Sequence, residues 1–184
     1  LWFDSGAINE AIAAFEEAVD EAIACGDVTA RGYAASWLSW ATWGAGEPQR
    51  SAALWPEVRS FVDQIPDPYD RRFVTLMAMG GAAIGGALAL DISSATTLAD
   101  ELLEIGRSTG NRRATALGHI AHTAAYYAVG DTDEAADVVP EMIDRSPINI
   151  GQSIAHDAER RPTIGAVRSR QDFRAPRLSL PHQQ

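Results

Sequence analysis

Helix-breaking positions recur along this chain at an almost constant interval. They fall at Gly6, Gly26-Asp27, Gly46-Glu47, Pro66-Asp67, Leu90-Asp91, Gly110-Asn111 and Gly130-Asp131, with spacings of 20, 20, 20, 24, 20 and 20 residues. Gly ends a helix through a left-handed residue, and the acidic or amide side chain that follows caps the next helix. The spacing therefore predicts antiparallel helix-turn-helix units with two helices in a repeat of about forty residues.

A second series runs in step with these breaks. A small residue stands five positions after alternate breaks, at Ala11, Ser51, Ala95 and Ala135. Pro56 and Pro140 each lie ten residues after a break, inside a predicted helix, where proline is expected to produce a kink. Because the small residues stand at a constant distance from alternate breaks, the two series share one period and support a true repeat.

The segments between breaks fall into two classes of polarity. The segment after Gly6 carries an apolar stripe that includes Ile12 and Phe15, with acidic residues such as Glu16 and Glu17 between its members. The segments after Gly26, Pro66 and Gly110 are much less polar. We therefore expect these segments to form an inner row of helices, covered by an outer row of amphipathic ones.

The run "FVTLMAMGGAAIGGALAL", residues 73 to 90, contains no charged residue. It has the length of a short membrane span, and Gly81 and Gly85 have the spacing at which two membrane helices pack closely. The same residues would suit the central inner helix of a soluble array. The phase of the breaks favours burial in protein, and the four glycines predict close helix contact or a bend here.

Composition supports an all-α fold and removes several kinds of chemistry. The chain of 184 residues contains 33 Ala, the best helix former, and no Lys. Without Lys there is no Walker A phosphate loop and no Schiff-base or Ser–Lys catalysis. The single Cys25 excludes an intramolecular disulfide and is compatible with a reducing cytoplasm, where we expect the protein to act.

Charge divides the chain into two parts. Residues 1 to 147 carry 22 acidic groups and 9 Arg, a net charge of −13, whereas residues 148 to 184 carry 3 acidic groups and 6 Arg, a net charge of +3. The first part should repel nucleic-acid phosphates, so no direct nucleic-acid contact is expected there. We interpret residues 1–147 as a helical repeat domain, and residues 148–184 as a short helix followed by a basic, poorly ordered tail.

Two stretches carry a family resemblance: "GAINEAIAAFEEAVDEAIACGD" and "STGNRRATALGHIAHTAAYYAVGDTDEAADVVPEMI". They combine the Gly-Asp breaks, an Ala in the first turn and an Ala/Gly-rich first helix, and residues 6 to 147 resemble a tetratricopeptide-type array. The style is similar to the degenerate repeats of LuxR-type regulators of MalT architecture and of bacterial adenylate or guanylate cyclases that carry an ATPase. This resemblance implies a right-handed solenoid of about seven helices in a larger signalling protein, so the chain is expected to be a segment of one.

Aromatic residues concentrate in one segment. Trp37, Trp40 and Trp43 advance three residues at a time, and Trp55 lies in the next segment. Tryptophan is enriched among the interface residues that contribute most of the binding energy, so a ligand groove is one interpretation. Hydrophobic core is the other, because aromatic residues at helical spacing usually pack inside.

His119 and His122 lie three residues apart on one predicted helix, with Tyr126 following them. Two histidines at this spacing suit a metal if further ligands come from elsewhere, but no HExxH motif or cysteine pair accompanies them. Interhelical or surface packing is the competing interpretation. The sequence contains no recognisable catalytic constellation, so we expect a non-catalytic segment without metal or cofactor.

The expected role is therefore a scaffold or sensor that binds a peptide, a partner domain or a small inducer on the concave face of the array. The groove residues proposed from the sequence are Trp37, Trp40, His119, His122 and Tyr126. Three alternatives stay open: a helical metal-dependent enzyme that uses the two histidines, a membrane protein anchored by residues 73 to 90, and a structural spacer.

Overall fold

A computed structural model of the protein describes residues 7 to 145, and the side chains of residues 7 to 138. The helices are α1 Ile8–Cys25, α2 Val28–Gly44, α3 Pro48–Arg59, α4 Pro68–Leu88, α5 Ile92–Thr109, α6 Arg112–Val129 and α7 Thr132–Arg145, with a 3-10 helix at Val62–Gln64. This described part contains no β-strand, which confirms the all-α prediction. The tail predicted for residues 148 to 184 lies outside it.

Five of the seven described helices, α1, α2, α4, α5 and α6, end where the sequence predicts, through one repeated turn. Positive φ angles between 64° and 85° occur at Gly26, Gly46, Leu90, Gly110 and Gly130. After Gly26, the N–H of Asp27 donates to the carbonyl of Ala22 across 2.9 Å, and Asp91 makes the same bond to Gly86. Such bonds satisfy carbonyls that a helix end would otherwise leave without a partner.

The helices also begin at the predicted caps. The capping oxygens belong to Asp27, Asp67, Asp91, Asn111 and Asp131, and they accept main-chain N–H groups two or three residues ahead at 2.7 to 3.3 Å. Glu47 differs, because its side chain caps nothing and instead accepts from Arg50 at 3.1 Å. Pro48 follows Glu47 at the start of α3, where its missing N–H costs nothing.

The even-numbered helices α2, α4 and α6 pack side by side in that order, and we call them the inner helices. The hydroxyl of Tyr33 donates to Asp70 at 2.8 Å, and further along Trp40 donates to the carbonyl of Met77. Contacts that advance together along both helices show that α2 and α4 run parallel. Helix α6 continues the same direction, because Phe73 lies under Arg113 and Gly80 beside Leu117.

The odd-numbered helices α1, α3, α5 and α7 run antiparallel to the inner ones, and we call them the outer helices. Within the described residues their main chains approach inner helices but not one another. The small residues of the second sequence series are all buried, with exposures of 4% at Ala11 and 0% at Ser51, Ala95 and Ala135. The division into an apolar row and an amphipathic row therefore follows the sequence pattern.

Helix α4 is enclosed by four neighbours. Every residue from Leu76 to Ala87 is buried. Its four glycines each face a different helix: the nearest side chains to an added Cβ would be Leu117 of α6 at Gly80, Ser39 of α2 at Gly81, Ser51 of α3 at Gly85 and Ala95 of α5 at Gly86. Close helix contact, one of the two predictions for residues 73 to 90, is thus confirmed.

The membrane interpretation of this run gains no support from the fold. Across residues 7 to 145, no helix combines the length and apolar character needed to cross a bilayer. Helix α4 begins at Pro68 and includes Asp70, Arg71 and Arg72 in its first turns.

Helix α3 is the shortest of the seven described helices, at 12 residues. Pro56 lies inside it, and the helix ends three residues later at Arg59. The chain then tightens, with N–H groups of Ser60 and Phe61 bonding three residues back instead of four. The predicted helix after Gly46 is therefore divided into an α-helix and a 3-10 helix. Its apolar residues still enter the largest core cluster, including Trp55, Val58, Phe61 and Ile65.

Candidate functional site

Two of the tryptophans on α2 pack against α4. The indole N–H of Trp40 donates to the main-chain carbonyl of Met77 at 2.9 Å. The rings of Trp40 and Trp43 meet edge to face, with centroids 6.0 Å apart. The indole nitrogen of Trp43 is buried and has no hydrogen-bond partner among the described residues. Trp40 therefore serves mainly as an anchor between inner helices.

Side chains from both neighbouring inner helices cover α4 at this level. Trp40 and Trp43 of α2 and Ile120 of α6 pack against one cluster that contains Ile84 of α4. Ile84 is left with an exposure of 4%. Because α4 presents mostly Ala and Gly here, the larger residues of α2 and α6 fill the space above it.

Trp37 has a different environment, with 41% of its surface exposed. It stands nine residues before the break at Gly46, the place that Gly81 and Ala121 occupy before their own breaks. Gly81 faces α2 and Ala121 packs beside Ile84 of α4, so this position faces the preceding inner helix in both cases. Trp37 thus occupies the equivalent position on α2, which is the first inner helix among the described residues.

The histidines lie on α6. His119 is buried, with 8% exposure. His122 approaches α5, where its Nε2 lies 2.9 Å from Oδ1 of Asp100, and the ring of Tyr126 stacks on it with centroids 6.0 Å apart. Asp100 is largely exposed, whereas the His122 side chain is 15% exposed. The pair joins α5 to α6.

The five residues predicted for a groove thus lie in separate environments. Trp40 sits between α2 and α4, while His122 and Tyr126 sit on α6 beside α5. Within the described residues α2 and α6 do not meet, because α4 lies between them. The same residues contain no group of three or more His, Cys, Asp or Glu side chains that could hold a metal ion.

An exposed apolar surface lies away from these five residues, at a place that the sequence did not predict. Because the inner helices are parallel, their C-terminal ends share one edge of the array. At this edge Leu88, Leu90, Tyr127 and Val129 are exposed by 47%, 68%, 59% and 58%. One signal was available: Leu90 stands at a break where the equivalent breaks carry Gly46 and Gly130.

The same edge is acidic. The turns that follow the inner helices carry the exposed residues Glu47, Asp91, Asp131, Asp133 and Glu134. We call these four exposed apolar residues, together with these five carboxylates, the Leu90 edge. The opposite edge differs, because its exposed carboxylates are mixed with the exposed arginines Arg59, Arg72, Arg107 and Arg112.

Arg50 is the arginine nearest the Leu90 edge in sequence, and it forms salt bridges with two carboxylates. It pairs with Glu16 of α1 and with Glu47 at 3.1 Å. The hydrogen bond with Glu16 is the main cause that raises the pKa of the Arg50 guanidinium, burial opposes it, and the bond with Glu47 raises it further. The guanidinium therefore stays charged and ties α3 to α1.

No protein-family model, curated protein or solved structure matches this chain.

Proposed function

We propose that residues 7 to 145 form a right-handed, tetratricopeptide-like array in which the inner helices stack and the outer helices cover them. Two features support this architecture. The turns at Gly46, Leu90 and Gly130, each of which follows an inner helix, use the same backbone bonds, so these units end alike. Each inner helix packs against the next, which is how repeat arrays build a continuous core from units that cannot bury their apolar faces alone.

The array serves as a non-catalytic module that binds a protein or peptide partner, or a small inducer. The observation that carries this proposal is the contrast between buried polar and exposed apolar side chains. The buried hydroxyls of Ser51 and Thr42 bond to helix carbonyls, so they support packing. Large apolar side chains such as Leu90 remain exposed, and exposed apolar patches commonly mark interaction surfaces.

The resemblance to bacterial regulators and cyclases suggests what such binding would control. In this proposal the array acts in the cytoplasm, without a cofactor, and its partner alters an ATPase, cyclase or DNA-binding module of the same larger protein. An adjoining reading frame that encodes one of these modules would support this part of the proposal. An adjoining frame that encodes a membrane or secreted protein would contradict it.

A peptide-display selection against the folded 184-residue chain tests the binding function. We expect the selected peptides to converge on one sequence pattern, and the corresponding soluble peptide to raise the melting temperature of the protein by mass action. A heat-unfolded sample serves as the control for unspecific capture. Failure of both peptides and a small-molecule panel to bind would instead favour a structural spacer.

A further inference from the structure

The Leu90 edge combines exposed apolar side chains with exposed carboxylates. Leu88 and Leu90 at the end of α4, and Tyr127 and Val129 at the end of α6, expose about half or more of their surface. The main chains of α4 and α6 are in contact, and their parallel course brings the C-terminal ends that carry these side chains to one side of the array. Exposed apolar side chains beside a polar rim are typical of interaction sites.

The identity of residue 90 adds to this. Its φ angle of 64° lies in the left-handed region, which disfavours leucine and suits glycine. Glycine is present at the equivalent turns, Gly46 and Gly130. The leucine side chain therefore contributes nothing to the turn, and at 68% exposure it contributes little to the core. Its apolar surface is the property that distinguishes this position.

The charged residues around the apolar side chains favour a binding partner of positive charge. Exposed carboxylates at Asp91, Asp131, Asp133 and Glu134 flank the apolar residues, while Arg50 is already paired with Glu16 and Glu47. The edge is therefore anionic, and it repels phosphate groups of nucleic acids and of acidic lipids. A basic segment gains from the same charges, both in encounter rate and in orientation.

From this complementarity we infer that the Leu90 edge binds a cationic amphipathic peptide segment of a partner protein. Apolar side chains of the segment cover Leu88, Leu90 and Tyr127, and its Arg or Lys side chains pair with Asp133 and Glu134. An amphipathic helix suits this surface, because its apolar stripe presents side chains at the i, i+3 and i+4 positions with basic residues beside them. The inference rests on the proposed binding function and specifies its partner.

The probe is a synthetic helical peptide of about 18 residues, with Leu at i, i+3, i+4 and i+7 and Arg at the flanking positions. A second peptide keeps the Leu positions and replaces every Arg with Glu. We expect the basic peptide to bind the full chain and the acidic peptide not to bind. Binding of the basic peptide should weaken as salt rises from low to physiological concentration, because exposed charges are screened.

Three variants locate the site. Leu90→Gly removes the exposed side chain while the backbone keeps a conformation that glycine adopts freely, and we expect about a tenfold loss of affinity. The double change Asp133→Asn with Glu134→Gln should weaken binding about fivefold, chiefly at low salt. Ile23→Ala is the matched control, since Ile23 is 52% exposed at the opposite edge, and it should leave affinity unchanged.

The results separate this inference from the function on which it rests. Equal binding of the basic and acidic peptides, or undiminished binding to folded Leu90→Gly protein, would overturn the inference. A concentration-dependent dimer that Leu90→Gly abolishes would also overturn it, since a second copy would then cover the edge. Display selection that yields an uncharged or acidic pattern contradicts this inference alone. Selection that yields nothing, together with a small-molecule panel that yields nothing, contradicts the binding function as well.

Discussion

The hydroxyl oxygen of Ser51 lies 3.0 Å from the main-chain carbonyl oxygen of Gly81 and 2.7 Å from that of Ser39. Ser51 belongs to α3, Gly81 to α4 and Ser39 to α2, so one buried hydroxyl reaches two inner helices. It has this reach because Gly81 and Gly85 carry no side chain on the face where the helices meet. Small residues thus fix how closely the central helices approach.

Replacing Ser51 with Ala should lower the free energy of unfolding by about 1 kcal/mol. The change removes a buried hydrogen bond but leaves no large cavity, and this is the usual net value of such a bond. Urea unfolding followed by circular dichroism measures it. Ser60→Ala is the control, because that exposed hydroxyl bonds only to the nearby Glu57 carbonyl. A cost for Ser60→Ala as large as for Ser51→Ala would refute the packing role.

Two adjacent glycines of α4 should respond in opposite directions to alanine. A Cβ at position 85 would lie 2.8 Å from the carbonyl oxygen of Pro48 and 2.7 Å from Ser51, and main-chain atoms cannot move aside easily. A Cβ at position 86 would meet nothing nearer than 3.6 Å. We expect Gly85→Ala to destabilise the protein by about 1–3 kcal/mol through overpacking.

Gly86→Ala should instead be neutral, or stabilise by up to about 1 kcal/mol, because alanine is the better helix former. Both variants change the same helix by one methyl group, so the difference between their melting temperatures isolates the close approach of α3. Equal shifts of the two melting temperatures would contradict the geometry around Gly85.

The helix boundaries could be read from the sequence because they depend on local chemistry. A left-handed Gly26 and a capping Asp27 satisfy their own helix ends, whatever the rest of the chain does. The inner and outer rows were also predictable, since polarity differs between alternate segments. Pro56 shows the limit: the sequence predicted a kink, whereas α3 ends three residues later and a 3-10 helix follows.

The surroundings of the candidate residues were harder to predict. Trp37 and Trp40 belong to one series of tryptophans at three-residue intervals. Even so, Trp40 anchors α2 to α4, while Trp37 is 41% exposed. Which tryptophan is buried depends on the side chains of the neighbouring helix that lie opposite it. Those residues are distant in sequence, so the local pattern does not reveal them. The exposed Leu90 had a local signal, because it interrupts the series of glycines at the turns.

Trp40 and Trp37 should differ clearly in their contribution to stability. Trp40→Phe removes the bond to the Met77 carbonyl and part of a packed ring, and should cost about 1–2 kcal/mol. Trp37→Phe should change the free energy of unfolding by no more than about 0.5 kcal/mol, as is usual for exposed positions. Chemical unfolding of both variants makes the comparison. A larger loss from the Trp37 variant would show that its ring is not exposed as described.

Leu90→Gly should stabilise the fold. The φ angle of 64° costs a leucine about 1–2 kcal/mol, and glycine removes this strain. Glycine also increases the entropy of the unfolded chain, and this lowers the stabilisation by about 0.5–1 kcal/mol. The side chain is 68% exposed, so little buried apolar surface is lost. We expect a net gain of about 0.5–1 kcal/mol and a higher melting temperature.

The reciprocal change tests the same turn. Gly130→Leu places leucine at the equivalent position, where φ is 80°, and should lower the free energy of unfolding by about 0.5–1 kcal/mol once the lower entropy of the unfolded chain is included. The two variants exchange the same pair of residues at two turns with matching backbone bonds, so opposite shifts are expected from one cause. If Leu90→Gly lowered the melting temperature while Gly130→Leu also lowered it, the Leu90 side chain would hold packing energy within the array. Its availability to a partner would then be contradicted.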